Sequence, residues 1–110
     1  MISEELLALT DQQMLELAAK SIGIVGTYHA ARVDTDRGVS YPVRAGIYID
    51  GICWNPLEDD GDAFRLVVKL GFYIEGAFTA HMEVSEFVAL GELVAVRRAI
   101  VRSAIVSRIR

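Results

Sequence analysis

The sequence predicts an α+β fold, a three-layer α/β/α sandwich in which about three helices cover a small mixed or antiparallel sheet. Helical patterns near both ends of the chain flank a β-rich central region. Asp50-Gly51 separates two apolar runs, residues 45–49 and Ile52–Trp54, which is typical of a tight hairpin. Residues 54–71 then have the pattern of a strand end, a turn and a helix. Together these three observations predict one small sheet covered by helices.

The first long helix is predicted over Asp11–Ser21, after a short helical turn within residues 4–9. Thr10 and Gln13 have the spacing of a capping box, in which each side chain binds the backbone N–H of the other residue. Gly23 suits the position just past the helix end. The apolar side of this helix, expected to face the core, consists of Met14, Leu15, Leu17 and Ala18.

The segment between this helix and the hairpin is predicted to be extended and irregular. Residues 24–33 favour a strand weakened by Gly26, and residues 34–38 favour a plain turn. Residues 39–44 are extended, but Pro42 interrupts them because proline has no backbone N–H for a sheet ladder. One strand, one turn and one broken extended segment are therefore expected here.

The joint between the hairpin and the central helix, residues 54–71, organises the rest of the chain. Pro56 must take the chain out of the sheet, and four acids then precede a helix body predicted over residues 63–70. One of these carboxylates is expected to be the N-cap, because carboxylates there bind free backbone N–H groups, and Asp59 and Asp62 have the spacing of a loose capping box. The residues assigned to this structural motif are Trp54, Asn55, Pro56, Asp59, Asp60, Gly61 and Asp62.

The same acids raise the question of a metal site. Gly61 could be the central glycine of a calcium-binding EF-hand loop, but Pro56 then stands where an Asp ligand is needed. Helix capping is preferred, and a metal-dependent enzyme that uses loop 59–62 is the weaker alternative. A zinc set lacks a motif spacing; its candidates are His29, Cys53 and His81. No catalytic residue, cofactor site or metal site is assigned.

The central helix is expected to end at Gly71, in the left-handed conformation that glycine adopts easily. Residues 72–74 favour a strand, which would complete a right-handed strand–helix–strand crossover. Apolar and polar residues alternate along residues 72–84, as in a half-buried strand. Residues 85–91 favour at most one helical turn, and residues 92–110 favour the last helix.

The last helix carries an unusual charge, because residues 1–96 have a net charge of −9 whereas residues 97–110 contain five arginines and no acid. On a helical wheel the arginines scatter and interrupt several apolar stripes. A helix that is apolar on nearly all sides is buried on more than one side. We expect one side to pack on the sheet, another to meet a partner, and the arginines to reach the rim and pair with the acidic body. The expected interaction surface consists of Arg97, Arg98, Val101, Arg102, Ile105 and Arg108.

The composition predicts one apolar domain, residues 1–110, inside the cell. Hydrophobic residues make up 53% of the chain and the mean hydropathy is +0.35. Either burial is efficient or a partner covers apolar surface. Cys53 is the only cysteine, which fits a reducing compartment. Because the N-terminus lacks a signal-peptide pattern and no run approaches the roughly 18 apolar residues of a membrane span, we expect a cytoplasmic protein.

Two sequence segments point to a family. WNPLEDDGDAFRLVVKLG at residues 54–71, followed by RRAIVRSAI at residues 97–105, resembles the phage ABA-sandwich domain family, small proteins of bacteriophages and prophages. LTDQQMLELAAKSIGI at residues 9–24 resembles the first helix of that family, and the layout is similar to that of NinX-like phage proteins. The resemblance implies an α/β/α sandwich and a phage or prophage origin. It implies no activity and transfers no functional residue.

The expected function is that of a phage or prophage accessory protein in the host cytoplasm. It is expected to bind a host or phage protein and to self-associate as a homodimer, without a cofactor, without contact with a membrane and without enzymatic activity. The alternative is a nucleic-acid-binding module that uses the Arg-rich C-terminal helix, which predicts binding that weakens steeply with salt.

Overall fold

The fold belongs to the α+β class, as predicted. The computed structural model describes residues 3–71 and 84–107. In chain order the elements are α1 (Ser3–Leu7), α2 (Asp11–Ser21), β1 (Thr27–His29), β2 (Arg32–Asp36), β3 (Val39–Val43), β4 (Gly46–Ile49), β5 (Ile52–Trp54), α3 (Asp60–Leu70), α4 (Val84–Leu90) and α5 (Glu92–Ser107). The described strands form two antiparallel sheets, one in the order β1-β4-β5 and one made of β2 and β3.

The bounds predicted for the first long helix are confirmed, because its end signals act locally. The Gln13 N–H donates to Thr10 Oγ1 over 3.1 Å, and the Thr10 N–H donates to Gln13 Oε1 over 2.9 Å. These two bonds are the predicted capping box. Gly23 has a φ of 75° directly after the last turn, so the chain reverses where the sequence predicts it.

The prediction of one strand over residues 24–33 is wrong. The chain forms β1, leaves that sheet at Ala30 and Ala31, and continues as β2 in the other sheet. The turn that follows contains only Arg37 and Gly38, whose φ values of 52° and 80° are those of a two-residue hairpin turn. β3 continues through Pro42, which pairs with Val33. A two-stranded sheet tolerates this proline because half of the N–H groups of each strand face outward.

The hairpin predicted around Asp50-Gly51 is confirmed. Both residues have positive φ values, 49° and 81°, as the type I′ turn requires. β4 pairs with β5 in the register Ile47 to Trp54. Gly46, at the start of β4, lies close to the neighbouring strand and to the chain that follows it.

Gly46→Ala is expected to destabilise the fold by about 1–3 kcal/mol, because the added methyl group overpacks a tight contact. A Cβ at this position would lie 2.5 Å from Cys53 Sγ and 2.8 Å from the Trp54 carbonyl oxygen. Gly61→Ala is the control, since the nearest atoms to its Cβ would be side-chain atoms of Asp59 and Arg65, at 3.1 Å or more, and alanine favours a helix. Urea unfolding of both variants checks the prediction, which fails if the two substitutions have equal effects.

The core is built around α5, which packs against α2, α3 and α4, while α2 packs on β4. The predicted burial of the last helix on several sides is confirmed, because residues 99–105 are all buried. Among the described residues its main contacts are with helices, so the predicted packing on the sheet is not found there. Further core side chains come from α2, α3, the larger sheet and the turn after β5, and include Met14, Leu15, Ala18, Ile47, Trp54, Leu57, Leu66 and Val67.

The end of the central helix matches the prediction, and the segment after it is only partly described. Gly71 adopts the left-handed conformation, with φ 67° and ψ 27°. The strand predicted over residues 72–74 and most of the alternating run, residues 72–83, lie outside the described residues. Val84 begins α4, a seven-residue helix where at most one turn was predicted. No helix in residues 3–71 or 84–107 is long and apolar enough to cross a membrane.

Candidate interaction surface and the joint that positions it

The turn after β5 is organised by Asn55, whose exposed fraction is 2%. Its Nδ2 donates to the Ala45 carbonyl oxygen over 2.9 Å, and its Oδ1 accepts from the Leu57 N–H over 3.0 Å. Its backbone N–H donates to Asp62 Oδ2 over 2.9 Å. One buried residue therefore connects the segment before β4, the turn and the first turn of α3.

The predicted cap by one of the acids is confirmed, and the capping residue is Asp59; α3 begins at Asp60, three residues before the predicted helix body. Asp59 Oδ1 accepts from the Asp62 N–H over 2.8 Å, and this bond lowers the pKa of the Asp59 carboxyl. Asp62 does not complete the loose capping box. Its Oδ2 accepts from the Asn55 N–H instead. This bond joins residues seven apart, whereas a capping box joins residues three apart.

The acids of the joint face different partners and do not converge on one point. Asp60 Oδ1 accepts from Arg97 Nη1 over 2.6 Å, Asp62 Oδ1 accepts from Arg65 Nη2 over 2.8 Å, and Asp59 pairs with Arg44 at 3.6 Å. Within the described ranges, no group of three or more His, Cys, Asp or Glu side chains could hold a metal ion. These carboxylates cap a helix and bind arginines.

Arg97 and Arg98 of α5 donate hydrogen bonds to acidic side chains and to a backbone carbonyl of neighbouring elements. Arg97 Nε donates to the Leu57 carbonyl oxygen over 2.8 Å, in addition to its bond with Asp60. Arg98 bonds to Asp11 on α2 over 2.9 Å and to Glu86 on α4 over 2.6 Å. These side chains connect α5 to the joint, to α2 and to α4.

Arg102 is buried, with an exposed fraction of 2%. The prediction that the arginines reach the rim is therefore wrong for this residue. Its Nη1 and Nη2 donate to the two carboxylate oxygens of Glu86 over 2.6 and 2.5 Å. The hydrogen bond from Arg102 is the main cause that lowers the pKa of the Glu86 carboxyl, although partial burial opposes it. The two residues form a bidentate ion pair between α4 and α5.

Within residues 92–107, the described part of the last helix, the predicted interaction surface does not form one exposed face. Val101, Arg102 and Ile105 are buried, because α5 is enclosed by α2, α3 and α4. Arg97 and Arg98 are engaged in ion pairs within the chain. Arg108 lies outside the described residues. A helical wheel cannot reveal this arrangement, since it contains no information on which elements surround the helix.

An apolar groove of about 260 Å³ lies between α3 and α5, next to the joint. Phe64 on α3 and Leu93 on α5 stand on its two walls with exposed fractions of 60% and 65%. Val68, one turn along α3, is also exposed. The other lining residues are Asp60, Ala63, Val67, Glu92, Val96, Arg97 and Ile100. Exposed apolar side chains grouped around a groove are typical of a site that binds another molecule.

Phe64 and Val68 belong to a broad set of apolar residues on the central helix, and the sequence alone does not separate them from the core residues. The sequence does indicate a second apolar surface, because the apolar residues of this helix span a wider arc around its axis than one contact with the core would bury. In the structure Leu66 and Val67 are buried, whereas Phe64 and Val68 are exposed. The helix therefore has one core face and one free apolar edge.

A second exposed apolar region is the hairpin of β2 and β3. Val33, Val39 and Tyr41 are exposed there, and the hairpin also carries an exposed ion pair between Arg32 and Asp34. Its residues are spread over both faces of a two-stranded ribbon, so they do not form a concave site. The α3–α5 groove is the stronger candidate.

No protein-family model, curated protein or solved structure matches this chain. The geometry of the groove and of the joint is therefore the basis for a functional assignment.

Proposed function

We propose that this protein is a small phage or prophage accessory protein that acts in the host cytoplasm by binding another protein, including a second copy of itself, and that it is not an enzyme. The observation that carries the proposal is the α3–α5 groove, with the exposed Phe64 and Leu93 on its walls. Large exposed apolar side chains at a concave site are the usual anchors of protein interfaces. Water contact at such side chains is unfavourable until a partner covers them.

The proposal includes a three-layer α/β/α sandwich of the phage ABA-sandwich type. It is supported by α2, which packs on β4 of the three-stranded sheet, and by α3, which follows directly from β5. The residues on which the family resemblance rests are also those that build the joint: Trp54 is buried, Asn55 bonds to three segments and Asp59 caps α3.

A nucleic-acid-binding function has less support. Phosphate binding needs arginines that are available on one side of the protein. Arg97, Arg98 and Arg102 each donate to carboxylates of this chain, so a phosphate would have to displace an ion pair. No observation favours a metal-dependent enzyme that uses loop 59–62, since its acids cap α3 and bind arginines.

Capture of partners from a bacterial host lysate, with and without nuclease, tests this function. We expect the tagged protein to retain a discrete protein after nuclease treatment, and Phe64→Asp to lose it, because a charge on the groove wall blocks apolar docking. Val25→Asp is the matched control, since Val25 is 88% exposed and does not line the groove. Mass spectrometry identifies the retained proteins.

Two outcomes would contradict the proposal. Partners that disappear with nuclease would favour nucleic-acid binding. Partners that Phe64→Asp and the control retain equally would show that the groove is not the docking site.

A further inference from the structure

We propose that two copies of this chain associate edge to edge through β2, antiparallel about a two-fold axis at Val33, so that their β2–β3 hairpins form one four-stranded sheet. The inference rests on the self-association included in the proposed function, and it assigns that role to a surface other than the α3–α5 groove. In a two-fold dimer the same surface is used twice, so it must be complementary to itself. The edge of β2 meets this requirement in hydrogen bonding and in charge.

The edge of β2 that faces away from β3 presents backbone groups that are ready to pair. Opposite residues of two antiparallel strands alternate between pairs that exchange hydrogen bonds and pairs that do not. The two-residue turn at Arg37-Gly38 makes Asp36 and Val39 an exchanging pair. By alternation, Val33 and Thr35 do not bond to β3, so their N–H and C=O groups point outward. Within residues 3–71 and 84–107, β3 is the only sheet partner of β2, and this edge is therefore open.

The outer edge of β3, in contrast, is closed by Pro42. Pro42 lies opposite Val33, in a pair that exchanges no hydrogen bonds, so its ring nitrogen faces outward and offers no N–H there. Proline on a strand edge is a common obstacle to pairing with another chain. The hairpin therefore has one blocked edge and one open edge, and the open edge belongs to β2.

The hairpin also has little support from the rest of the chain. Among the described elements, neither β2 nor β3 packs substantially on a helix or on the larger sheet, and Val33 is 71% exposed. An isolated two-stranded hairpin is only marginally stable in water, whereas a sheet of three or more strands with an apolar face is stable. Pairing of two β2 edges supplies the missing strands and brings the two Val33 side chains together, each beside Pro42 of its own hairpin.

The charges along β2 select one register of the two copies. With Val33 opposite Val33, Arg32 of each copy lies opposite Asp34 of the other, which gives two attractive pairs. With Val33 opposite Thr35, Arg32 meets Asp36, but the two Asp34 residues lie opposite each other. With Thr35 opposite Thr35, Asp34 meets Asp36 twice. Only the register centred on Val33 pairs the outward-facing residues without setting like charges against each other.

The ion pair within each hairpin is arranged for this dimer. Arg32 Nε donates to Asp34 Oδ1 over 3.0 Å, and the two side chains are 46% and 37% exposed. They lie on the same face of β2, because side chains two residues apart point the same way. A second copy therefore adds an opposite charge to each of them and completes a group of four alternating charges. A purely acidic or purely basic strand would repel one of the two residues, so a second copy is the better partner.

Sedimentation equilibrium of proline variants tests the use of the β2 edge. The unmodified protein is expected to dimerise in the micromolar range. Val33→Pro is expected to weaken the dimer by roughly tenfold or more, because it removes the central N–H and places a ring on the edge. The bonds between β2 and β3 remain, since the Val33 N–H is not used in them. Ser40→Pro is the matched control, because Ser40 lies opposite Thr35 and its N–H faces the other, already blocked edge.

Charge exchange tests the register. Arg32→Asp and Asp34→Arg are each expected to weaken the dimer by roughly tenfold at low salt, because two attractive cross-strand pairs become repulsive. Added salt should partly restore both variants, since salt screens repulsion between exposed charges. Mixing the two variants should recover a heterodimer, because every cross-strand pair then joins opposite charges.

Amide hydrogen exchange provides a second readout, and circular dichroism confirms that the variants fold. Exchange at the Val33 N–H should slow as the protein concentration rises, whereas exchange at Ser40 should not change. A monomeric parent protein, a dimer that Val33→Pro leaves intact, or a mixture of the charge variants that stays monomeric would each overturn the inference. Protection of the Val33 N–H in a monomer would also overturn it, since the edge would then be covered within the chain.

Phe64→Asp separates this inference from the proposed function. The dimer is expected to survive Phe64→Asp, because the groove is not part of the β2 edge. A monomeric protein that still captures another protein through the groove would overturn the inference alone. A dimer that depends on β2, in a protein that captures nothing through the groove, would overturn the groove as the docking site and leave the inference in place.

Discussion

Glu86→Ala is expected to lower the free energy of unfolding by about 3–5 kcal/mol, because it removes one partner of a buried ion pair. Glu86 accepts from both Nη atoms of Arg102, which is 2% exposed, and from Arg98 Nε. Removing the carboxylate takes the counter-charge of Glu86 away from a buried guanidinium, and the resulting loss of free energy exceeds the net contribution of the ion pair itself. Urea unfolding measures the loss.

Asp34→Ala is the matched control for this loss. Asp34 also pairs with an arginine, Arg32, at 3.0 Å, but both side chains are well exposed. Exposed ion pairs contribute about 0–1 kcal/mol. If Glu86→Ala and Asp34→Ala lowered the free energy of unfolding equally, the burial of Arg102 would not increase the contribution of its ion pair to stability.

The same ion pair predicts a dependence of stability on pH. The pKa of Glu86 is lowered below its ordinary value of 4.5, chiefly by the hydrogen bond from Arg102. The unfolded chain therefore takes up this proton first as the pH falls, so the contribution of Glu86 is complete above about pH 5 and is lost progressively below about pH 4.5. Glu86→Gln should be less stable at neutral pH but should lose less stability on acidification. The pKa of Asp59 is lowered as well and contributes in the same direction in both proteins, so the comparison isolates Glu86.

Asn55→Ala is expected to cost about 2–4 kcal/mol, because it removes the side chain that satisfies two backbone groups of the joint. The Leu57 N–H loses its acceptor and the Ala45 carbonyl oxygen loses a donor, although that oxygen still accepts from Cys53 Sγ at 3.4 Å. An unsatisfied buried group costs about 1–3 kcal/mol. Urea unfolding measures the loss, and amide hydrogen exchange should show reduced protection at Leu57.

Glu58→Ala is the control within the same loop. Glu58 is exposed, and surface substitutions of this kind change stability by about 0.5 kcal/mol or less. If Asn55→Ala and Glu58→Ala had similar effects, the hydrogen bonds of Asn55 would not hold the joint together. A loss of stability without reduced protection at Leu57 would place the cause elsewhere in the fold.

The elements that sequence reasoning predicted well are those whose signals and structures are close together in the chain. The capping box of α2 joins residues three apart, the Asp50-Gly51 turn needs only two positive φ values, and Gly71 ends α3 by its own conformation. Each of these depends on a few neighbouring residues, so composition and spacing are sufficient.

Local signals fail over residues 24–33, where the sequence predicted one strand and the structure has β1 followed by the start of β2. Nothing in the composition of this run indicates that the chain changes sheets at Ala30 and Ala31. β-propensity depends on cross-strand neighbours, and the partner of β1 is β4, about twenty residues later in the chain. The place of Pro42 in β3 has the same cause, since a proline is tolerated or excluded according to which edge of the strand is free.

The sequence by itself determined the α+β class, the bounds of α2, the hairpin of β4 and β5, and the cap and end of α3, because each rests on contacts between near neighbours. Only the tertiary structure decided the roles of the arginines and the site of the groove. Arg98 bonds to Asp11, which is 87 residues away, and Arg102 bonds to Glu86 on α4, of which the sequence predicted at most one turn. Which face of an amphipathic helix is buried and which is free depends on the elements packed around it, so Phe64 could be assigned to the exposed groove only once α5 was in place beside α3.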